Sequence, residues 1–151
     1  MARPATKPRT PQHRRMVVAT IALGILATTA VACRTDKPQL EDFYYLNRER
    51  VAGSVGMTAW DDKLAAKAQA WAQHMADTGT LAHSTLTDGV PGGWNHLGEN
   101  VGTGPAVGDV HDGFMNSTPH RTTMLSGQYS KVGVGVAERD GNVWVAEVYE
   151  G

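Results

Sequence analysis

The amino-acid sequence predicts an α+β fold on three observations. Apolar residues recur at helical spacing through residues 40–78, a Gly-, Pro-, Asn- and Asp-rich stretch follows from Ser84 to Gly104, and two alternating strands joined by a turn signal close the chain. Helices gathered ahead of an antiparallel pair differ from the alternating order of α/β proteins.

Taken in order, residues 40–52, LEDFYYLNRERVA, bring Leu40, Phe43, Tyr44, Leu46 and Val51 around one broad side and predict a first helix. From Asp61 to Thr78 the pattern sharpens, with Leu64, Ala68, Trp71 and Met75 on one stripe. Asp61 is placed to cap the first turn and Gly79 to end the last. The segment from Ser84 to Gly104, densest in turn residues at DGVPGGWN, reads as mostly loop. A third helix is expected from Pro105 to Asn116 with Val107, Val110 and Phe114 inward, followed by a short turn or helix from Pro119 to Leu125. In KVGVGVAE, Val132, Val134 and Val136 alternate with Gly133 and Gly135; in NVWVAEVY, Val143, Val145, Glu147 and Tyr149 alternate with Trp144, Ala146 and Val148. Asp140 and Gly141 between them are a hairpin signal. Trp60, Trp71 and Trp144 fit core positions, whereas Trp94 is the tryptophan expected to be exposed.

Residues 1–32 read as an export signal: Arg3, Lys7, Arg9, Arg14 and Arg15 precede an uncharged run from Met16 to Ala32 that closes on Ala30, Val31 and Ala32. That run is shorter and less apolar than the roughly 20 residues that span a bilayer. Cleavage after Ala32 leaves Cys33 first. The sequence AVAC is similar to a bacterial lipobox, with Ala30 where Leu is more usual, and an acylated Cys33 would give an exported chain's single cysteine a role. Residues 33–39 then form a tether to the membrane and residues 40–151 the domain; the alternative is a freely secreted product. Without residues 1–32, nine Lys and Arg face 15 acids, a net charge of about −6 that argues against nucleic-acid partners and against electrostatic binding to anionic lipid.

Four segments, TAWDDKLAAKAQAWAQHMADTGTLAHS, GENVG, FMNSTPHRTTMLSGQYSKVGVGVA and VWVAEVY, resemble in order and spacing the bacterial, SCP-like branch of the CAP superfamily, related to cysteine-rich secretory proteins, antigen 5 and pathogenesis-related protein 1. The resemblance covers Leu40 to Tyr149. It implies a three-layer α-β-α sandwich with a small central antiparallel sheet and a cleft lined by two histidines and acids, which in several members holds a divalent metal. On this chain LAHS supplies His83, GEN supplies Glu99 with Asn100 beside it, and TPHR supplies His120. The pattern's second glutamate, three residues after an aromatic, falls on Ser117 after Phe114, so the acid set is incomplete. Glu147 is a further acid with a route to the same cleft.

Two imidazoles and a carboxylate suit zinc, and a site with an open fourth position activates water. No local metal motif such as H-E-x-x-H is present, and with Ser117 in place of the second acid, zinc held by His83 and His120 is expected to bind weakly. Each residue also has a structural role open to it: His83 as a cap near a helix end, His120 as a first-turn residue, Glu99 and Asn100 as holders of loop amides. His111 is expected to be a hydrogen-bonded core residue, with a cleft ligand as the alternative; His96 is three residues before Glu99 in unknown register, and His74 is expected at the surface. No G-x-S-x-G elbow and no cysteine besides Cys33 offers a nucleophile, and GTGPAVG lacks the ending of a phosphate loop. The expectation is therefore an exported, envelope-tethered module that binds a lipid or other envelope component. The alternatives are a metal-assisted hydrolase in which Glu99 polarises water, and a structural envelope protein with a vestigial cleft.

Overall fold

A computed structural model describes residue 1 and residues 37–151; the signal segment and Cys33 fall outside the described residues. Helix α1 (Pro38–Ala52) leads through a two-residue strand β1 (Ala59–Trp60) into α2 (Asp62–Thr78). Strand β2 (Leu97–Gly104), helices α3 (Val107–Asn116) and α4 (Thr118–Met124), and strands β3 (Lys131–Arg139) and β4 (Asn142–Glu150) follow. The sheet order is β1-β3-β4-β2, with β2, β4 and β3 antiparallel and β1 added parallel to β3. The sheet is thus antiparallel as expected except at β1.

Local chemistry sets the boundaries. Asp61 Oδ1 accepts the amides of Lys63 and Leu64, and Gly79 ends α2 at φ 65°, a left-handed conformation that costs glycine little. Asp140 and Gly141 turn the β3–β4 hairpin with both φ values positive, 51° and 77°.

Alternation along the strands builds three layers. Leu64, Ala68, Ala72 and Met75 of α2 pack on one face against Val101, Ala137, Ala146 and Val148. Val132, Val134, Val136, Val145 and Tyr149 meet α1, α3 and α4 on the other, with Leu46, Val107, Val110, Phe114 and Met124. None of Trp60, Trp71, Trp94 and Trp144 is fully buried and none fully exposed, so Trp94 is covered more than its loop composition suggests.

Two sequence expectations are corrected. Residues 97–104 form a strand rather than loop. Its glycines serve packing: a side chain at Gly102 would come within 2.7 Å of Phe114 and Val110 atoms. Helix α1 also turns a different side inward. It buries Asp42, Leu46, Asn47 and Arg50 and leaves Leu40, Tyr44 and Val51 exposed. Hydrogen bonding fixes this rotation: Asn47 exchanges bonds with the Thr58 backbone, and Arg50 reaches four backbone carbonyls.

Candidate functional site

Strand β2 is an edge of the four-stranded sheet, and its two faces separate two sets of polar side chains. Glu99 points to the α2 face, where its side chain is 3 % exposed. Its Oε1 lies 2.8 Å from His83 Nδ1 and accepts the Ser84 amide at 2.9 Å, while Oε2 accepts the Ser84 hydroxyl at 2.6 Å. Glu99 thereby clamps the loop that follows α2 onto the sheet edge. An ionised carboxylate only accepts, so Nδ1 of His83 carries the hydrogen and Nε2 is left as the basic nitrogen. The His83 side chain is 61 % exposed.

His120 comes from α4, in the opposite helical layer. Its ring centre is 5.0 Å from that of Phe114. Burial, and then the charge of His83, lower its pKa below the ordinary histidine value, so it is neutral at pH 7. His83, in the loop after α2, thus bears electrostatically on His120 of α4.

Asn100 belongs elsewhere than the sequence placed it. Neighbouring strand residues face opposite ways, and Asn100 is 1 % exposed on the far side of β2. Its Nδ2 donates to Glu147 Oε2 at 2.9 Å and to the His120 carbonyl at 3.2 Å. It ties α4 to the sheet and does not share the strand face of Glu99. Glu147 is likewise fully buried.

His111 is a core residue, 2 % exposed, but without the hydrogen bond expected of it: neither ring nitrogen has a partner, and Nδ1 is 3.7 Å from Asp42 Oδ1. His96 and His74 are exposed, the latter stacked on Trp71 at 4.7 Å. Asp42 was missed by the sequence reading. Its signal is the spacing Asp42, Leu46, Arg50, one side of a helix in steps of four, which competes with the more apolar side carrying Leu40 and Tyr44.

The donor set does not fit a three-ligand zinc centre. Among the described residues no group of three or more His, Cys, Asp or Glu gathers to hold a metal ion. Glu99 already receives three donors, and Ser117 stands where a second acid would be needed. What remains is two imidazoles, one short of the three protein ligands of a catalytic zinc site.

The model of the cysteine-rich secretory protein family, CAP, matches residues 43–148. Among solved structures, an extracellular SCP-domain protein from Bacillus anthracis is similar at 23 % identity and a TM-score of 0.67, over 75 % of this chain and 40 % of that one. An outer surface protein from Borrelia burgdorferi is similar at 16 % identity and a TM-score of 0.67, over 77 % of this chain and 93 % of its own. A cysteine-rich secretory protein from Staphylococcus aureus follows at 18 % identity and 0.61, over 75 % and 38 %. The chain thus spans less than half of the Bacillus and Staphylococcus proteins. At these identities the likeness establishes the fold. No curated protein matches the chain in sequence.

Proposed function

The chain belongs to the cysteine-rich secretory protein family, and from that premise we propose that it is an exported domain, tethered to the cell envelope through Cys33, whose His83–His120 cleft binds a lipid or another envelope component without hydrolysing it. The observation that carries this reading is the state of Glu99. A general base needs a carboxylate that reaches the water it deprotonates. Glu99 is almost fully covered and receives three donors, and the Ser84 hydroxyl donates to it instead of facing an imidazole. Glu99 serves instead to hold His83, and with His120 on Phe114 the two imidazoles are the groups this reading assigns to polar recognition. The extracellular and outer-surface descriptions of the Bacillus and Borrelia structures support export. The negative charge of the mature chain disfavours an anionic ligand.

One preparation tests both halves of the proposal. Protein extracted from the envelope in detergent is expected to show an acylated Cys33 in intact-mass analysis and to carry lipid that His83→Ala loses. An unmodified Cys33 at the N-terminus sinks the tether; lipid retained by His83→Ala and His120→Ala alike sinks the cleft assignment.

Glu99→Gln separates binding from hydrolysis. The amide oxygen keeps His83 Nδ1 and the Ser84 amide and the amide nitrogen meets the Ser84 hydroxyl, which turns to accept, so the variant exchanges charge-assisted bonds for neutral ones and is expected to lose about 1–3 kcal/mol in urea unfolding. No hydrolysis of envelope substrates is expected in either protein. Wild-type turnover that vanishes in a still-folded Glu99→Gln overturns the binding reading.

A further inference from the structure

Behind His120 lies a cluster that the cleft does not use. Asp42 of α1 and Glu147 of β4 are both 0 % exposed, and each carboxyl is near enough to act directly on the other. Two ionised carboxylates cannot hydrogen-bond to each other, because each only accepts. Glu147 Oε2 has its donors, Asn100 Nδ2 at 2.9 Å and the Tyr149 hydroxyl at 2.6 Å. Glu147 Oε1 and both oxygens of Asp42 are buried with none.

Among the described residues no cation stands ready to neutralise the pair. The buried Arg50 is fully engaged with the carbonyls of Gly56, Met124, Ser126 and Tyr129. His111 of α3 is the nearest base, and at 3.7 Å from Asp42 it makes an ion-pair contact only if protonated, which its own burial opposes. From α1, Glu41 acts on Asp42, and Glu49 and Arg48 act on His111; from α3, Asp112 acts on His111; from β4, Tyr149 acts on Glu147. Strand β3 places Val134 opposite Glu147 and β2 places the uncharged Asn100 there.

We propose that Glu147 carries a proton on Oε1 and donates it to Asp42, so that the two acids form a proton-binding site in the core that makes the fold depend on pH. The arrangement gives both oxygens of Glu147 and one of Asp42 a partner: Oε2 accepts from Asn100 and Tyr149, Oε1 donates, and one Asp42 oxygen accepts. Burial, and then the charge of Asp42, raise Glu147 well above its ordinary value, and burial pushes Asp42 up to about 7.

Both acids have raised folded-state pKa values, so the unfolded chain loses these protons first as pH rises. The contribution of the pair to stability is fully present below the ordinary carboxylate values, 3.8 and 4.5, and is lost as pH climbs towards and beyond 7. His111, lowered from 6.5 by burial, opposes this below pH 6.5, one group against two.

The test is a carbon-13 titration of the side-chain carboxyls in the folded wild-type domain, beside thermal unfolding of wild type and Glu147→Gln from about pH 5 to 8. Glutamine reproduces the protonated acid, with an amide to donate to Asp42 and an oxygen to accept from Asn100 and Tyr149. The Glu147 carbon is expected to stay in the protonated range at pH 6, the wild-type midpoint to fall as pH rises, and Glu147→Gln to match wild type at pH 5 and exceed it at pH 8. Both carboxyl carbons titrating near about 4 in the folded protein overturns the proposal, even if the variant fails to fold. Two ionised carboxyls at pH 8, with a midpoint that rises on adding magnesium, overturn it as well, in favour of a bound cation.

Discussion

Alanine at Gly133 or Gly135 is expected to abolish the fold. Both glycines lie on the face of β3 turned to α2. A Cβ at Gly133 would overlap the backbone of Leu64 and Ala65, and one at Gly135 the backbone of Ala68 and Gln69. Backbone cannot swing aside as a side chain does, so α2 would have to lift off the sheet. That separates Leu64, Ala68 and Met75 from Ala146 and Val148, and pulls Gln69 from the two bonds it makes to the Val136 backbone, 2.8 and 3.1 Å long. The loss is expected to exceed about 4 kcal/mol, a large part of the 5–15 kcal/mol that holds an ordinary domain folded. The measurement is far-ultraviolet circular dichroism with urea unfolding. Gly127→Ala, where a Cβ meets nothing within 4 Å, is the control and should stay within about 0.5 kcal/mol of wild type. A cooperative transition of Gly133→Ala at the wild-type midpoint would show that the two layers do not approach this closely.

These glycines also show how far the fold is legible in the sequence. In β3 they alternate with valines, so the period of two survives and the strand is found. In β2 the same device hides the strand: Gly98, Gly102 and Gly104 read as turn residues, although Gly98 and Gly102 are there because Tyr129 and Phe114 press on that face. Composition cannot distinguish a glycine that bends the chain from one that admits a neighbour. Helix α2, with an apolar stripe, an acidic cap and a terminal glycine, is legible from end to end because its local signals agree. In α1 they conflict, and the buried side is chosen by tertiary hydrogen bonds that periodicity does not record.

The site divides in the same way. His83, Glu99 and His120 are legible through motif resemblance, and the contact between His83 and Glu99 follows that reading. The role of Ser84 was not foreseen, because its bonds to Glu99 depend on where the post-α2 loop meets β2. Asn100 was placed with its sequence neighbour although alternation in a strand sends it to the other face; once β2 was read as loop, that rule had nothing to act on. Asp42 and Glu147, 105 positions apart in the numbering, become a pair only when α1 and β4 pack.

Arg50→Ala is expected to destabilise the domain by about 3–5 kcal/mol, the range for stripping a buried charged group from its partners. Arg50 is 1 % exposed and has no acid partner among the described residues. Its charge is instead solvated by carbonyl dipoles: Nε donates to Gly56 at 2.7 Å, Nη1 to Met124 at 2.7 Å and Ser126 at 3.0 Å, and Nη2 to Tyr129 at 2.9 Å. Those carbonyls belong to two connections, from α1 to β1 and from α4 to β3, which meet where Ala59 donates to Ser130. Removing the guanidinium leaves four carbonyls facing one another around a void, each costing up to about 1–3 kcal/mol unless water enters to replace it. Lysine is expected to recover less than half of the loss, because a single ammonium cannot reproduce the planar fan that spans both connections. Urea unfolding measures the loss, and amide exchange locates it: protection should fall first at residues 124–132, while the β3–β4 hairpin beyond keeps its own. Wild-type stability in Arg50→Lys would show that charge and not the guanidinium fork holds the connections. Wild-type stability in Arg50→Ala would show that water replaces the fork without cost, and that the inward rotation of α1 rests on Asn47 and Leu46 alone.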